Sequence, residues 1–94
     1  MRIEWRPLAS ADLAELLAFI AADNPNAAYR VQEEIRTQTE KLAAHPEIGR
    51  RGRVQGTREL VVTRTPYIAA YQIVGDTVTI LRVLHGARRW PRKL

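Results

Sequence analysis

The chain has no cysteine and only two histidines among its 94 residues. Without thiols it can form no disulfide, no thiolate zinc site and no cysteine nucleophile. Two histidines far apart in the sequence also give no cluster of metal ligands. We therefore expect no metal and no other cofactor. The lack of cysteine suits a reducing compartment such as the cytoplasm.

Long apolar runs are also missing. No stretch approaches the roughly 20 apolar residues that a membrane helix needs. The first ten residues, MRIEWRPLAS, lack the apolar centre of a signal peptide. The sequence thus predicts a soluble, cytoplasmic protein without a membrane partner. A chain of this length suits one domain, residues 1–94, with a modest core.

Charge is distributed unevenly along the chain. Residues 1–49 hold five Lys/Arg and eight Asp/Glu, whereas residues 50–94 hold ten Lys/Arg and two Asp/Glu. The second half therefore carries a formal net charge of +8, and nine of its ten cations are arginine. Arginine suits bidentate contacts with phosphate or carboxylate. This half predicts a polyanionic partner, either nucleic acid or an acidic protein segment, with a solvated surface as the alternative.

The first half of the sequence predicts one strand and two helices. Alternating polar and apolar residues indicate a strand over residues 2–6, which Pro7 ends. Apolar residues at helical spacing then predict a helix from about Ser10, as N-cap, to Ala22. Asn24 can cap a second helix that starts at Pro25 and runs to about Ala44. Two helices joined by a tight turn pack as an antiparallel hairpin.

The second half predicts a loop, EIGRRGRVQG, followed by three strands. Thr65-Pro66 separates the first two strands, and Gly75-Asp76 joins the last two in a two-residue turn of type II′. The whole pattern predicts an α+β fold, in which two helices pack on one face of a four-stranded antiparallel sheet. That sheet would combine the N-terminal strand with the three-stranded meander.

The last strand is apolar on both of its predicted faces. Strict alternation puts Val78, Ile80, Arg82 and Leu84 on one side, with Thr79, Leu81, Val83 and His85 on the other. The pattern leaves open which of these sides covers the helices. An apolar and basic second face is typical of a binding groove rather than of a solvated surface.

Two segments of the meander are distinctive, YIAAYQIVGD at residues 67–76 and ILRVLHGARRW at residues 80–90. Both resemble segments of the RelE/ParE superfamily of bacterial toxins. The first is similar to the central strand and hairpin of that superfamily, and the second to its arginine, valine, histidine and glycine run. The order of elements agrees along essentially the whole chain.

The resemblance implies the toxin half of a type II toxin–antitoxin module. Such toxins are neutralised in a hetero-oligomer by a small, usually acidic antitoxin, which fits the +8 half. We expect growth arrest by RelE-like, ribosome-dependent cleavage of mRNA without a metal. One alternative is a ParE-like inhibitor of DNA gyrase with no catalysis of its own. The other is an antitoxin-binding module that has lost its toxicity.

The resemblance also indicates candidate site residues. Cleavage requires a proton donor or acceptor and cations on the phosphate, and the predicted catalytic residues are His85, Arg82 and Arg58. Residues predicted to bind nucleic acid or another target are basic or aromatic: Arg50, Arg51, Arg53, Arg64, Tyr67, Arg88, Arg89 and Trp90. Ile68 stands where RelE nucleases typically carry a catalytic arginine, which favours the ParE alternative.

Overall fold

The computed structural model describes residues 1–94. It contains two α-helices, five β-strands and a short 3-10 helix, Lys41–Ala43. The helices are Pro7–Asp23 (α1) and Pro25–Glu40 (α2), and the strands are Arg2–Trp5 (β1), Arg50–Arg51 (β2), Arg58–Val61 (β3), Tyr67–Val74 (β4) and Thr77–His85 (β5). Neither helix is long and apolar enough to cross a membrane.

The five strands form one mixed sheet in the order β1-β5-β4-β3-β2. The predicted α+β architecture, with both helices packed on the sheet, is confirmed. Two details of the predicted sheet were wrong. It has five strands rather than four, and β1 pairs in parallel with β5 while all other pairs are antiparallel.

Both differences have a physical origin. β1 places Ile3 and Trp5 opposite Val78 and Ile80, and an alternating strand of four residues offers the same apolar face in either direction. The additional strand β2 consists of two arginines, so it has no apolar alternation by which to recognise it. Its pairing is supported instead by an ion pair from Arg50 across to Glu59 on β3.

The helix boundaries also differ in part from the sequence prediction. α1 begins at Pro7, so the expected N-cap, Ser10, lies inside the helix, and its N–H donates to the Arg6 carbonyl. Proline suits the first helical position because it has no N–H to leave unsatisfied. Asn24 caps α2 as predicted, since its Oδ1 accepts from the Ala27 N–H at 3.1 Å.

The core lies between the helices and one face of the sheet. Tyr71 of β4 is fully buried at its centre, and its hydroxyl donates to the Pro46 carbonyl at 2.6 Å while accepting from the Gly49 N–H at 2.9 Å. Thus one phenol connects the sheet to the loop that follows the helices. The other buried members of this cluster are Ala9, Leu16, Ile35, Leu42, Leu60, Val62, Ala69, Val78, Ile80 and Val83.

A β-bulge in β5 changes which side chains face the helices. Tyr71 is opposite Ile80 whereas Ala70 is opposite Arg82, so Leu81 is the extra residue. Val78 and Ile80 therefore share the helix-covered face with Val83 and His85, while Arg82 and Leu84 share the outer face with Thr79. The strictly alternating assignment of the last strand was wrong for this reason.

Part of the outer face of the sheet is buried as well. Ile68, Ala70 and Leu84 point away from the helices and are almost inaccessible to solvent. Gly86, the first residue after β5, lies against Ile68, because a side chain added at Gly86 would meet the Ile68 side chain. The Trp90 indole N–H then donates to the His85 carbonyl at 3.2 Å. The basic C-terminal segment, residues 86–94, therefore folds back beside the sheet.

Candidate functional site

The structure does not bring the three predicted catalytic residues together. Arg58 lies opposite Tyr71 and His85 lies opposite Tyr67, so both occupy the helix side at different levels of the sheet. Four residues of strand correspond to about 13 Å, and β3 and β5 lie on opposite sides of β4. Arg58 and His85 therefore cannot contact the same reacting bond in this conformation.

Arg82 is held by a carboxylate of α1. Its Nε and Nη2 donate to the two carboxylate oxygens of Asp12 at 2.7 and 3.0 Å, and both side chains are less than one-fifth exposed. Asp12 also accepts the Val83 N–H at 3.1 Å. This bond gives the Val83 N–H a partner at the edge of β5, just beyond Trp5, where β1 ends. The hydrogen bonds that Arg82 donates to Asp12 raise the pKa of Arg82 above its ordinary value. This arrangement fixes α1 to the sheet.

Arg58 is also partly engaged by the protein. Its Nη1 donates to the carbonyls of Glu47 and Gly49 at 3.2 and 2.9 Å. The neighbouring phenol of Tyr71 has a raised pKa because it is buried, although the Gly49 N–H and the Arg58 charge act in the opposite direction. Arg58 therefore supports the loop before β2.

His85 stands at the exposed end of β5. Its Nδ1 accepts the Ala87 N–H at 3.1 Å, and the Tyr67 ring meets its ring edge-on with centroids 5.7 Å apart. The Nε2 atom has no protein partner, so this nitrogen is available to a ligand. Of the three predicted catalytic residues, His85 is the most accessible.

A cleft of about 230 Å³ lies between α1 and the His85 end of the sheet. Its apolar wall includes Leu16 and Phe19, and Phe19 is 80% exposed. Its polar wall combines acidic side chains from α1 with Tyr67, His85 and Arg88. Tyr67 and Arg88, both predicted to bind a target, thus lie together with His85. An exposed phenylalanine beside a mixed polar rim is typical of a protein-binding surface.

A second group of predicted residues surrounds Glu59 on the outer face. Arg50 donates to Oε1 of Glu59 at 2.9 Å, and the backbone N–H of Arg53 donates to Oε2 at 2.8 Å. The Arg53 guanidinium also bonds to this carboxylate and stacks on the Trp90 ring at 3.9 Å. The structure therefore joins the loop after β2 to the C-terminal segment through Arg53 and Trp90.

Glu59 is a residue whose role the sequence analysis missed. It is only 2% exposed, and burial alone would raise its pKa. The hydrogen bonds from Arg53 and Arg50 outweigh burial and leave the pKa of Glu59 below its ordinary value. A signal was present in the sequence, because Glu59 is the only carboxylate between Arg50 and Val74.

The remaining predicted residues do not form one site. Arg64 lies in the β3–β4 turn with a φ of 67° and donates to Glu34 of α2 at 2.6 and 2.8 Å. Arg51 and Arg89 are exposed, and neither side chain has a hydrogen-bond partner in the protein. Arg64 is thus bound to α2 and does not line the cleft, whereas Arg89 extends the charge of the C-terminal segment.

Comparison with known proteins gives consistent results. Residues 3–90 match a family model described as the ParE toxin of the type II toxin–antitoxin system parDE. The chain is 45% identical over 93 residues to Y4kP of Sinorhizobium fredii, covering 99% of this chain and 96% of the relative. It is also 36% identical over 87 residues to toxin RelE2 of Caulobacter vibrioides, covering 93% and 97% of the two chains.

The fold is shared with a solved toxin–antitoxin structure. A chain of the chromosomal ParDE system from P. aeruginosa superposes with a TM-score of 0.82 and 28% sequence identity. The match covers 90% of this chain and 95% of the other. The two chains therefore agree in architecture along nearly their whole length.

Proposed function

Since this chain belongs to the ParE toxin family of type II toxin–antitoxin systems, we propose that it arrests growth by binding DNA gyrase rather than by cutting mRNA. In this proposal residues 1–94 act as one toxin domain in the cytoplasm, where the target is found. The toxin would perform no chemistry of its own.

The dispersal of the candidate catalytic residues carries this proposal. A nuclease needs a proton-transfer group and phosphate-binding cations within a few ångströms of one another. Here Arg82 is paired with Asp12, and Arg58 is about 13 Å or more from His85. Arg58 and His85 therefore cannot act on one phosphate without rearrangement of the sheet, and Arg82 would first have to leave Asp12.

An antitoxin is the partner that membership of the family implies. We propose that the antitoxin is acidic, because the half of this toxin from residue 50 to residue 94 carries a net charge of +8. An acidic segment lying along this half would neutralise it and keep the toxin in an inactive hetero-oligomer.

The cleft beside His85 is the surface we assign to the target. It combines the exposed Phe19 ring with Tyr67, His85 and Arg88, which are the kinds of aromatic and arginine side chains enriched at binding hot spots. Truncation of such an anchor typically costs about 2 kcal/mol or more in binding free energy.

Two assays on purified toxin, freed from antitoxin, test the proposal. The first is DNA supercoiling by gyrase, and the second is primer extension on mRNA in a reconstituted translation reaction. We expect inhibition of supercoiling and intact mRNA. The Phe19→Ala variant should weaken gyrase inhibition at least tenfold, whereas Tyr29→Ala, which truncates an aromatic residue 73% exposed on α2, should not.

A ribosome-dependent nuclease is the second candidate, and one observation favours it. The Nε2 atom of His85 is accessible and without a protein partner, as a general acid would require. Cuts in mRNA that need ribosomes and disappear in His85→Ala would establish this function. The same result, together with unimpaired gyrase, would contradict the gyrase proposal.

A further inference from the structure

A cavity of about 520 Å³ opens beside the last residues of β4, away from the His85 cleft. β3 pairs with β4 only between Ile68 and Tyr71, so Gln72 and Ile73 have no strand partner on that side. The loop between β2 and β3 closes the space from the other side. The polar residues of the lining include Arg51, Gln55, Arg58 and Gln72.

The lining offers hydrogen-bond donors and positive charge. It contains two arginines and no carboxylate. Arg51 is exposed and has no partner in the protein, and Arg58 uses only Nη1 for its contacts with carbonyls. The Nε of Arg58, its Nη2 and the whole Arg51 guanidinium therefore remain available to an anion.

The loop that contributes to this lining has a defined shape. The Gly52 N–H donates to the Thr57 carbonyl at 2.8 Å, and the Thr57 hydroxyl donates to the Val54 carbonyl at 2.6 Å. A side chain at Gly52 would collide with Thr57, so this close approach depends on glycine. At the tip, the N–H groups of Gln55 and Gly56 donate to no acceptor in the protein.

We propose that this cavity binds a phosphoryl group through Arg51, Arg58 and the amides of the loop tip. Phosphate has up to three terminal oxygens, which match several donors at once, and guanidinium groups bind it in bidentate fashion. The volume is also within the range of small-molecule sites. The phosphoryl group can belong to a free nucleotide or to the backbone of a nucleic acid. The site does not rest on gyrase being the target.

Amide NMR of the purified, full-length toxin tests the site directly. Titration with inorganic pyrophosphate should shift the amide signals of Gln55 and Gly56 in a saturable manner. The signals of the C-terminal segment, residues 86–94, should move less at the same concentration. Shifts confined to that segment, or no saturable shift, would overturn the proposal.

Two matched variants distinguish pyrophosphate binding at a defined site from non-specific electrostatic attraction. Arg51→Gln should weaken pyrophosphate binding about tenfold, because a charge-assisted hydrogen-bonding group is lost. Arg30→Gln removes another exposed arginine, on α2, and should leave the affinity unchanged. Equal weakening by both variants would show only non-specific attraction and would contradict the site.

Two further ligands distinguish the sources of the phosphate. If a free nucleotide is the ligand, adenosine 5′-monophosphate should bind at least as tightly as a short single-stranded DNA. If a nucleic-acid backbone is the ligand, the DNA should bind more tightly, and its affinity should fall steeply with salt. Either pattern supports the site, provided that Arg51→Gln weakens binding of the preferred ligand. Binding insensitive to Arg51→Gln would refute the site whatever the outcome for gyrase.

Discussion

Among single residues, Tyr71 combines burial with two hydrogen bonds to the loop before β2. Replacing it with phenylalanine removes only the hydroxyl, so the Pro46 carbonyl and the buried Gly49 N–H lose their partner. We expect Tyr71→Phe to lower the free energy of unfolding by roughly 1–3 kcal/mol. Urea denaturation followed by circular dichroism measures this change.

The control for this variant is Tyr29→Phe on α2. Tyr29 is 73% exposed, and its hydroxyl has no protein partner. Its replacement should change the free energy of unfolding by less than about 0.5 kcal/mol. A loss for Tyr71→Phe no larger than the loss for Tyr29→Phe would show that the two hydrogen bonds of the Tyr71 hydroxyl do not stabilise the fold.

Glu59 makes the free energy of unfolding depend on pH in the acidic range. Its pKa in the folded protein lies below the ordinary value of 4.5, so the ionised carboxylate stabilises the fold above that pH. The contribution is lost as the pH falls through the folded pKa. We expect Glu59→Gln to be less stable than wild type at pH 7, with a deficit that shrinks progressively below about pH 4.5. Urea denaturation at several pH values measures the deficit, and a deficit independent of pH would contradict this role.

At the scale of elements, the sequence was sufficient for the regular parts of the fold. Apolar residues at helical spacing indicated both helices, and Asn24 with Pro25 indicated the start of α2. The hairpin at Gly75 was also predicted, and Gly75 indeed has a positive φ of 60° between β4 and β5. These features depend on local residues, which is why a single sequence revealed them.

Features that depend on pairing between distant residues were not predictable in this way. The bulge at Leu81 appears only in the register of β5 against β4, and no residue near Leu81 marks it in the sequence. The engagement of Arg82 by Asp12 joins residues 70 positions apart. The contacts of Arg82 with Asp12 and of Arg58 with the loop before β2 were therefore not visible in the sequence.

The Asp12 carboxylate joins α1 to β5, and its removal should loosen that contact. Asp12→Asn leaves the nearly buried Arg82 guanidinium without its ionic partner, at a cost of roughly 3 kcal/mol in the free energy of unfolding. Thermal or urea denaturation measures the loss. Glu15→Gln, an exposed residue on the same helix with no ion pair, should have little effect. A small loss in both variants would mean that the ion pair does not secure α1.

For the whole molecule, the uneven charge should control association with an acidic antitoxin. Attraction between the +8 half and the antitoxin would accelerate their encounter, and salt screens such attraction over about 10 Å at 0.1 M and about 3 Å at 1 M. We expect the association rate constant to fall about tenfold or more from low to high salt, with a smaller change in the dissociation rate constant. Stopped-flow fluorescence measures the first quantity. An association rate insensitive to salt would contradict a role for this charge.

The parallel pairing of β1 with β5 has a consequence for how the toxin is made. The two strands are separated by more than 70 residues, so the sheet cannot be completed until nearly all of this stretch has been synthesised. At about 5–20 residues per second, the ribosome needs roughly 2–9 seconds to go from the end of α2 to the end of β5. During that time the helical hairpin has no complete sheet to cover its apolar side. A chain interrupted before β5 would therefore lack the strand that connects β1 with β4, and its core would stay open.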